Sequence, residues 1–490
     1  MTTLTVQQQA VIDAFASGAG DLCVTARAGS GKTTTALKAV AARPSRKSAT
    51  LCAFGRRNAD ELALRLQTAG CGDGVKAKTL HGIGYSAISR ALRGRRFTVN
   101  QHREFELALD RCEGDEDKAR SVGRLAALAK ETRPDDISWD VLREIALDHG
   151  IADSDDDADD SWEIAGQLAT TALKVIEESL VIGSDISFSD MLWMPLVKRW
   201  APYKTDFVVV DEAQDMNKAQ LRLAVMARAA GGRVAVIGDD RQAIYSFRGA
   251  EPGALARVSA ALKAALLSLT VSFRCGTAII AEAQKIVPDI EAAPGAEEGV
   301  VGRAAEAVLM ANAKPGDFVL SRTNAPLARI CLGLIRAGIR AYIVGADIGA
   351  GLIALVRKLA PRSAADPLTD MLVRLGRWRE REIAKAKVHK RDRRIEQVED
   401  QAAMIAALAA DVDDIAALIT TIERIFDEHG GPRVACSTVH RAKGLEADRV
   451  WLLEETLDAV KGRTPLQELE ESNIRYVAIT RARSELIYTR

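Results

Sequence analysis

The sequence lacks several features that would place it in a special class of protein. No apolar run reaches the roughly 18 residues that a membrane span needs. The N-terminus, "MTTLTVQQQAVIDAF", has neither a basic region nor a small-residue cleavage site, so we expect a cytoplasmic protein. The seven cysteines form no C-x-x-C pair, which argues against a disulfide framework or a zinc site and predicts buried reduced thiols.

The chain also lacks net charge, since 67 Lys and Arg residues balance 67 Asp and Glu residues. The charges are uneven, however, because residues 374–394 carry ten cations and three carboxylates. Such a run predicts either a basic binding face or a solvated helix with ion pairs between successive turns. The length of 490 residues and the 48% hydrophobic content predict about two to four packed domains.

The first informative segment is "TARAGSGKTTT" at residues 25–35. Residues 26–33 fit the phosphate-loop pattern G-x-x-x-x-G-K-[ST], except that Ala26 replaces the first glycine. The loop stands between an apolar run that reads as a strand and a run that reads as a helix, as the pattern requires. We predict nucleotide contacts at Ala28, Gly29, Ser30, Gly31, Lys32, Thr33 and Thr34, with Lys32 on the β and γ phosphates and Thr33 on Mg²⁺.

A second segment, "FVVVDEAQD", supplies the carboxylates that such a loop needs. Asp211 would hold Mg²⁺, and Glu212 would orient and activate the attacking water. A guanine-binding N-K-x-D segment is not evident, because "NKAQ" at residues 217–220 lacks the Asp. The two motifs together predict a nucleotide hydrolase that uses ATP.

The fold prediction follows from where polar residues end the apolar runs. "DFVVVDEAQD", "GRVAVIGDD" and "LLSLTVSFRC" each read as a strand whose carboxyl end carries polar residues, which is typical of a parallel sheet. A second α/β block begins near residue 316 and resumes after residue 430. The residues between the strands of each block read as mostly helical, so each block is expected to contain a helical insertion.

The motifs, taken in order, resemble those of the UvrD/Rep-like superfamily 1 DNA helicases. The matching segments are "LTVQQQAVI", "TLHGIGYSAI", "DEAQD", "VIGDDRQAIYSFRGA", "LTVSFRCGTAII", "STVHRAKGLEADRVWL" and "IRYVAITRARSEL". The resemblance implies an α/β fold with two RecA-like parallel-sheet domains of the P-loop NTPase type, each with a mostly helical insertion. The predicted parts are domain 1A (1–90 and 186–278), insertion 1B (91–185), domain 2A (279–348 and 430–490) and a short basic 2B-like insertion (349–429).

The resemblance also implies roles for residues outside the loop. Gln8 would read the adenine edge, Phe273 would stack on the base, and Gln242 would sense the γ-phosphate. Arg274 and Arg481 would stabilise charge on the transferred phosphoryl group. The remaining nucleotide contacts implied are Gly444 and Glu446. Arg27 departs from the family pattern, because it stands where glycine is common.

The DNA contacts implied are of two kinds, aromatic platforms and groups that contact phosphate. They are Phe54, Arg57, His81, Tyr245, Phe247 and Arg248 in the first block, and Arg322, Thr438 and His440 in the second. Whether Arg56 or Arg57 takes the family's lysine role stays open.

The expected activity is an ATP-dependent single-stranded DNA translocase and helicase. The family resemblance alone implies 3′ to 5′ polarity, with ATP and Mg²⁺ as cofactors and single strands and single-strand/duplex junctions as partners. One alternative is a DNA-stimulated ATPase subunit of a nuclease or defence complex that unwinds little by itself. Another is a phosphate-loop ATPase without a nucleic-acid role.

Overall fold

The computed structural model describes residues 4–44, 46–71, 74–149, 151–152, 158–244, 253–361, 366–388, 392–459 and 464–490. It divides into two compact units, Met1–Thr270 and Val271–Arg490. All seven cysteines are buried free thiols, as predicted. No helix within the described ranges is both long enough and sufficiently apolar to span a bilayer.

The division between the units lies ahead of the boundary predicted after residue 278. Local pairing explains the difference, because strand Val271–Ser272 pairs with Glu291–Ala292 and not with the first sheet. The amide of Gly276 also donates to the carbonyl of Arg483 at 2.8 Å. The motif that begins at residue 271 is therefore part of the second unit.

The first unit is built on a parallel sheet with helices on both faces. In chain order its elements are α1 (Val6–Ser17), β1 (Leu22–Ala26), α2 (Lys32–Ala41), β2 (Ala49–Ala53), α3 (Arg56–Thr68), β3 (Val75–Thr79), α4 (Leu80–Ala91), β4 (Thr98–Val99), α5 (Arg103–Arg111), α6 (Glu116–Thr132), α7 (Trp139–Asp148), α8 (Ala158–Ser179), β5 (Asp185–Ile186), α9 (Phe188–Val197), β6 (Thr205–Val210), α10 (Lys218–Ala227), β7 (Arg228–Gly238), α11 (Ala254–Leu262) and β8 (Ala265–Leu269). The sheet order is β3-β2-β6-β7-β1-β8, with every neighbouring pair parallel.

Strand β6 shows why the sheet is covered on both sides. Phe207 and Val209 pack into the core on one face, and Val208 and Val210 pack into the core on the other. Successive side chains of a strand point to opposite faces, so an uninterrupted apolar run needs two cores. The three strands predicted from apolar runs are β6, β7 and β8.

The helical segment α5–α8 packs with α4 and α9 around an apolar core that is separate from the two cores of the sheet. A buried ion cluster joins this segment to the start of α9. Lys130 Nζ lies 2.7 Å from Asp190 Oδ1 and 3.0 Å from Glu104 Oε1, while Arg103 Nη1 lies 2.5 Å from Asp190 Oδ2. Because a buried charge needs opposite charges close by, these four residues fix the helices to one another.

The second unit contains another six-stranded parallel sheet. Its elements are β9 (Val271–Ser272), α12 (Thr277–Gln284), β10 (Glu291–Ala292), β11 (Val300–Ala304), α13 (Glu306–Asn312), β12 (Phe318–Ser321), α14 (Ala325–Arg336), β13 (Ala341–Ile343), α15 (Ala346–Leu359), α16 (Pro367–Val388), α17 (Asp392–Ala409), α18 (Ile415–Ile425), β14 (Val434–Thr438), β15 (Ala447–Leu453), α19 (Glu454–Asp458), α20 (Pro465–Ile479) and β16 (Ala482–Thr489). The order is β11-β16-β15-β12-β14-β13. The predicted fold class is confirmed, since each unit carries a parallel α/β sheet.

The segment 349–429 is helical through most of its described part, but it does not have a core separate from the sheet. Leu352 of α15, Met371 of α16 and Ile405 of α17 belong to the same apolar cluster as Trp451 of β15. The segment is therefore packed against the second sheet as an extra layer of helices, which its apolar residues at helical spacing explain.

Candidate functional site

The phosphate loop joins the end of β1 to the first residue of α2. Gly29 and Gly31 have φ angles of +74° and +76°, a left-handed conformation that glycine adopts without strain. The loop leads into the N-terminus of α2, where the first amides of a helix have no partner within the helix and the positive end of the helix favours an anion. Ala26 is the buried last residue of β1, so its position does not call for the glycine of the pattern.

Gln8 is attached to this loop. Its Nε2 donates to the carbonyl of Ser30 at 3.2 Å, and its Oε1 accepts from the amide of Thr5 at 3.1 Å. A side chain added at Gly31 would place a Cβ 3.1 Å from the same Nε2. The Gln8 Nε2 atom therefore holds the loop, while its Oε1 atom caps the start of α1. The predicted contact with adenine stays a prediction.

The predicted carboxylates follow β6 directly and meet the loop. Thr33 Oγ1 donates to Asp211 Oδ2 at 2.8 Å, and Lys32 Nζ lies 3.4 Å from Glu212 Oε2. Burial, with the nearby charge of Glu212, raises the pKa of the Asp211 carboxyl. A hydroxyl and a carboxylate are oxygen ligands of the kind that Mg²⁺ prefers, so the residues present fit a magnesium nucleotide.

A further residue, which we did not single out from the sequence, connects the Glu212 carboxylate to the neighbouring strand β7. Gln214 is 1% exposed, and its Nε2 donates to Glu212 Oε2 at 2.5 Å. Its Oε1 accepts from the amide of Asp239, at the end of β7, at 3.0 Å. The sequence feature that could have identified Gln214 is its place in the motif "DEAQD", where polar residues follow a buried strand.

Gln242 closes the turn that follows β7. The turn is a short 3₁₀ helix, Asp240–Gln242, in which the amide of Gln242 donates to the carbonyl of Asp239 at 2.9 Å. Gln242 is buried. Arg27 reaches the same turn from the phosphate loop, with its Nη1 atom 3.0 Å from Asp239 and 2.6 Å from Asp240.

Two of the aromatic residues predicted for DNA, Phe54 and His81, follow β2 and β3 and lie beside the carboxylates. Phe54 and His81 line one small cleft together with Asp211 and Glu212. Burial lowers the pKa of the His81 imidazole to about 4, so it is neutral at pH 7. Phe188, which the sequence reasoning missed, is 49% exposed and meets His81 edge-on at 5.8 Å between ring centroids.

The remaining candidates of the first unit are placed less centrally or fall outside the described residues. Arg56 and Arg57 both lie at the start of α3, so they stay equivalent candidates. Ala28 is buried in the loop and Thr34 is exposed on α2. Tyr245, Phe247 and Arg248 lie outside the described residues.

In the second unit, two of the predicted nucleotide residues, Arg274 and Glu446, belong to one ion cluster. Arg274 Nε lies 2.5 Å from Glu446 Oε2, and the guanidinium of Arg483 binds the other oxygen of Glu446. Burial alone would raise the pKa of Glu446, but its bonds to Arg483 and Arg274 lower it below the ordinary value. Arg481 is 1% exposed and donates to the carbonyls of Val477 and Leu445. Of the other two candidates, Phe273 is half exposed and Gly444 precedes Glu446 in the same loop with φ of +87°.

The predicted phosphate contacts of the second unit share one edge of its sheet. Arg322 follows β12, while Thr438 ends β14 and His440 follows it, and Ser321 pairs with Thr438 in register. The Arg322 guanidinium makes a two-pronged ion pair with Glu471, with Nε 3.0 Å from Oε2 and Nη2 2.8 Å from Oε1. The structure therefore brings these three residues to one edge, with Arg322 already bound to a carboxylate.

This arrangement agrees with the comparison to known families. Residues 4–263 match the UvrD/REP helicase N-terminal domain, and residues 367–490 match the UvrD-like helicase C-terminal domain. The chain belongs to the UvrD/REP helicase family. The first match covers more than half of the chain, and it contains the phosphate loop, both carboxylates and the Asp240–Gln242 turn.

Individual relatives of this UvrD-like chain are more distant. It is 27% identical over 149 residues to a probable DNA helicase II homolog of Rickettsia felis, covering 29% of this chain and 23% of the relative. It is 36% identical over 83 residues to the ATP-dependent DNA helicase Rep of Escherichia coli, covering 15% and 12%. It is 26% identical over 279 residues to DNA helicase IV of the same species, covering 49% of this chain and 40% of the relative. The chain thus spans less than half the length of each of these relatives.

Proposed function

We propose that this protein is an ATP-dependent DNA helicase that translocates along single-stranded DNA, with the 3′ to 5′ polarity that the family resemblance implies. The observation that supports this most directly is the contact of the phosphate loop with the two carboxylates after β6. Thr33 bonds Asp211, and Lys32 pairs with Glu212. These four side chains, which are of the types that a phosphoryl transfer needs, therefore lie together at one end of the sheet.

The residues of the first unit have distinct tasks in this proposal. The amides of the loop and Lys32 bind the β and γ phosphates and neutralise their charge. Glu212 accepts the proton of the attacking water, and Gln214 holds its carboxylate in place. Thr33 and Asp211 would hold Mg²⁺, which supplies positive charge to the phosphate oxygens.

The proposed DNA track follows the neighbouring strand ends. Phe54 and Phe188 offer partly exposed rings on which bases can stack, and stacking contributes about 1 to 3 kcal/mol per base. In the second unit, Arg322 and His440, which follow the neighbouring strands β12 and β14, are the proposed contacts with backbone phosphate. Arg322 would exchange Glu471 for a phosphate, which keeps its two-pronged geometry.

Helix α16 is the proposed contact with duplex DNA at a junction. Its exposed cations include Arg377 and Arg381, which lie one turn apart on the same face. Replacing both with Glu should weaken binding to forked DNA and reduce the salt slope by about one unit for each phosphate that the helix no longer binds. Arg120→Glu, on the exposed surface of α6, is the matched control. If the affinity for forked DNA and its salt dependence did not change, α16 would be a solvated surface helix without a DNA contact.

The first experiment measures steady-state ATP hydrolysis without nucleic acid and with single-stranded DNA, duplex DNA and single-stranded RNA. We expect strong stimulation by single-stranded DNA, and loss of turnover in Lys32→Ala and Glu212→Gln. Tailed duplexes with 3′ or 5′ overhangs then test polarity and unwinding. Stimulation without unwinding would favour the ATPase subunit of a nuclease or defence complex. Turnover indifferent to every polymer would refute the DNA role.

A further inference from the structure

Arg27 is an unusual residue for the second position of a phosphate loop, and its side chain points into the protein. The residue is 9% exposed, although burying a charged group is costly unless it is paired. Its Nη1 atom lies within ion-pair distance of two successive carboxylates, Asp239 and Asp240. Asp239 is completely buried, whereas the Asp240 side chain is 40% exposed.

These contacts connect the two ends of the loop through a chain of polar groups. The chain runs from Arg27 to Asp239, from the Asp239 amide to Gln214, from Gln214 to Glu212, and from Glu212 to Lys32. The successive distances are 3.0, 3.0, 2.5 and 3.4 Å. Each link except the last is a hydrogen bond shorter than 3.1 Å, so these groups form one continuous polar network.

We propose that Arg27 is a positioning residue that neutralises Asp239, keeps Lys32 available for the nucleotide phosphates, and steadies Glu212 through Gln214. This inference rests on the proposed function, because it assumes that the loop binds ATP. It adds to that function a residue that acts through its neighbours rather than on the nucleotide or the DNA.

The argument is one of charge balance within a buried site. Asp239 feels the charge of both Lys32 and Arg27, and burial raises the pKa of its carboxyl. With Arg27 removed, Lys32 carries more of the compensation of Asp239. A lysine drawn toward Asp239 cannot reach the phosphates equally well, so ATP binding weakens. Without Arg27, Asp239 keeps the bond from the Arg241 amide at 3.2 Å but loses the guanidinium that balances its charge. Removing one charge of a buried pair is strongly unfavourable, whereas replacing both partners by neutral groups is often tolerated.

The test compares Arg27→Ala, Arg27→Lys and the double variant Arg27→Ala/Asp239→Asn in ATP hydrolysis at saturating single-stranded DNA. We expect Arg27→Ala to raise KM for ATP on the order of tenfold, which corresponds to about 1.4 kcal/mol. Asp239→Asn should restore most of that KM, because it removes the carboxylate that competes for Lys32. Arg27→Lys should fall between the wild type and Arg27→Ala. Arg222→Ala, which breaks an exposed pair with Asp135 at 3.0 Å, is the matched control and should leave KM unchanged.

Two results would overturn the inference: a KM and kcat of Arg27→Ala within twofold of the wild type, or a double variant as impaired as the single one. If Arg27→Ala does not fold, Arg27→Lys and Arg27→Lys/Asp239→Asn carry the same comparison with a smaller expected shift. Thermal unfolding of every variant separates a loss of stability from a change in KM. Wild-type turnover that Lys32→Ala abolishes keeps the proposed function intact even if every Arg27 variant is silent. A wild type without ATP turnover overturns both.

Discussion

Replacing Gln214 by Ala should damage hydrolysis more than nucleotide binding. The substitution removes the 2.5 Å bond to Glu212 and the acceptor of the buried Asp239 amide. A hydrogen bond to a charged group contributes about 1.5 to 3 kcal/mol, and an unpaired buried donor costs about 1 to 3 kcal/mol. Since the Glu212 side chain is 32% exposed, and since bonds in one network do not add in full, we expect a loss of about 2 to 3 kcal/mol.

A loss of this size should lower the Tm of the unit that contains it by roughly 4 to 12 °C. The effect on kcat is expected to be on the order of tenfold or more, because a general base contributes about 10² to 10⁴, and the proposed base Glu212 would keep Lys32 but lose the bond that orients it. KM for ATP should change little, since the loop and Lys32 remain. Glu212 has a φ of +54°, a strained conformation for a residue other than glycine, and it needs such support.

The assay combines calorimetric unfolding with steady-state hydrolysis at saturating ATP and single-stranded DNA. Gln284→Ala is the matched control, because it also removes one partly buried glutamine bond, that from Gln284 Nε2 to the carbonyl of Ile290 at 2.7 Å, far along the chain from the carboxylates. If Gln214→Ala lowered Tm while kcat stayed at the wild-type value, Gln214 would be a structural residue only. The proposed support of Glu212 would then be refuted.

Three further predictions concern the first unit. Lys130→Met leaves two buried carboxylates without their shared cation and should cost about 3 to 5 kcal/mol, measured as a fall in Tm. Burial and the neighbouring carboxylate of Glu104 raise the pKa of Glu131 to about 7. Ionisation of Glu131 therefore destabilises the folded state above pH 7, and this cost disappears as the pH falls toward 4.5. Glu131→Gln should therefore stabilise the protein at pH 8, by on the order of 1 kcal/mol seen as a rise in Tm, and not at pH 4.5; an equal gain at both values would contradict the assignment. Gly84→Ala places a Cβ 1.8 Å from the carbonyl oxygen of Met191 and should cost about 1 to 3 kcal/mol or more, whereas Gly183→Ala, with open space around it, should not change Tm.

The part of the site that depends on strand ends could be predicted from the sequence. Lys32, Thr33, Asp211 and Glu212 each follow the end of an apolar strand, and parallel strands present those ends at one edge of a sheet. The contacts between the loop and the carboxylates follow from strand order alone once β1, β7 and β6 are neighbours. The fold class was predictable for the same reason, since apolar runs of strand length alternate with helical periods.

Side-chain partners could not be predicted in the same way, because they depend on what packing leaves nearby. Gln8 was expected to face adenine, but in this structure both ends of its amide are bound within the protein. Glu446 was expected to contact ribose, and it pairs with Arg274 and Arg483. Their roles with nucleotide stay predictions. The division between the units lies at residue 270 and not at the predicted residue 278 for a related reason. Two residues of strand pairing, which hydrophobic periodicity does not reveal, place the segment after residue 270 in the second unit.

The strand order of the first sheet offers a short path between the proposed sites of hydrolysis and DNA contact. Strand β6, which is followed by Asp211 and Glu212, has β7 on one side and β2 on the other. Its β7 side leads through Gln214 to the turn that contains Gln242, and its β2 side leads to Phe54. Phe54 and Glu212 line the same cleft, so a base that stacks on Phe54 would alter the surroundings of the carboxylate that activates water. Under the proposed function, stimulation of hydrolysis by single-stranded DNA would therefore require no signal from a distant element, and Phe54→Ala should reduce that stimulation more than it changes turnover without DNA.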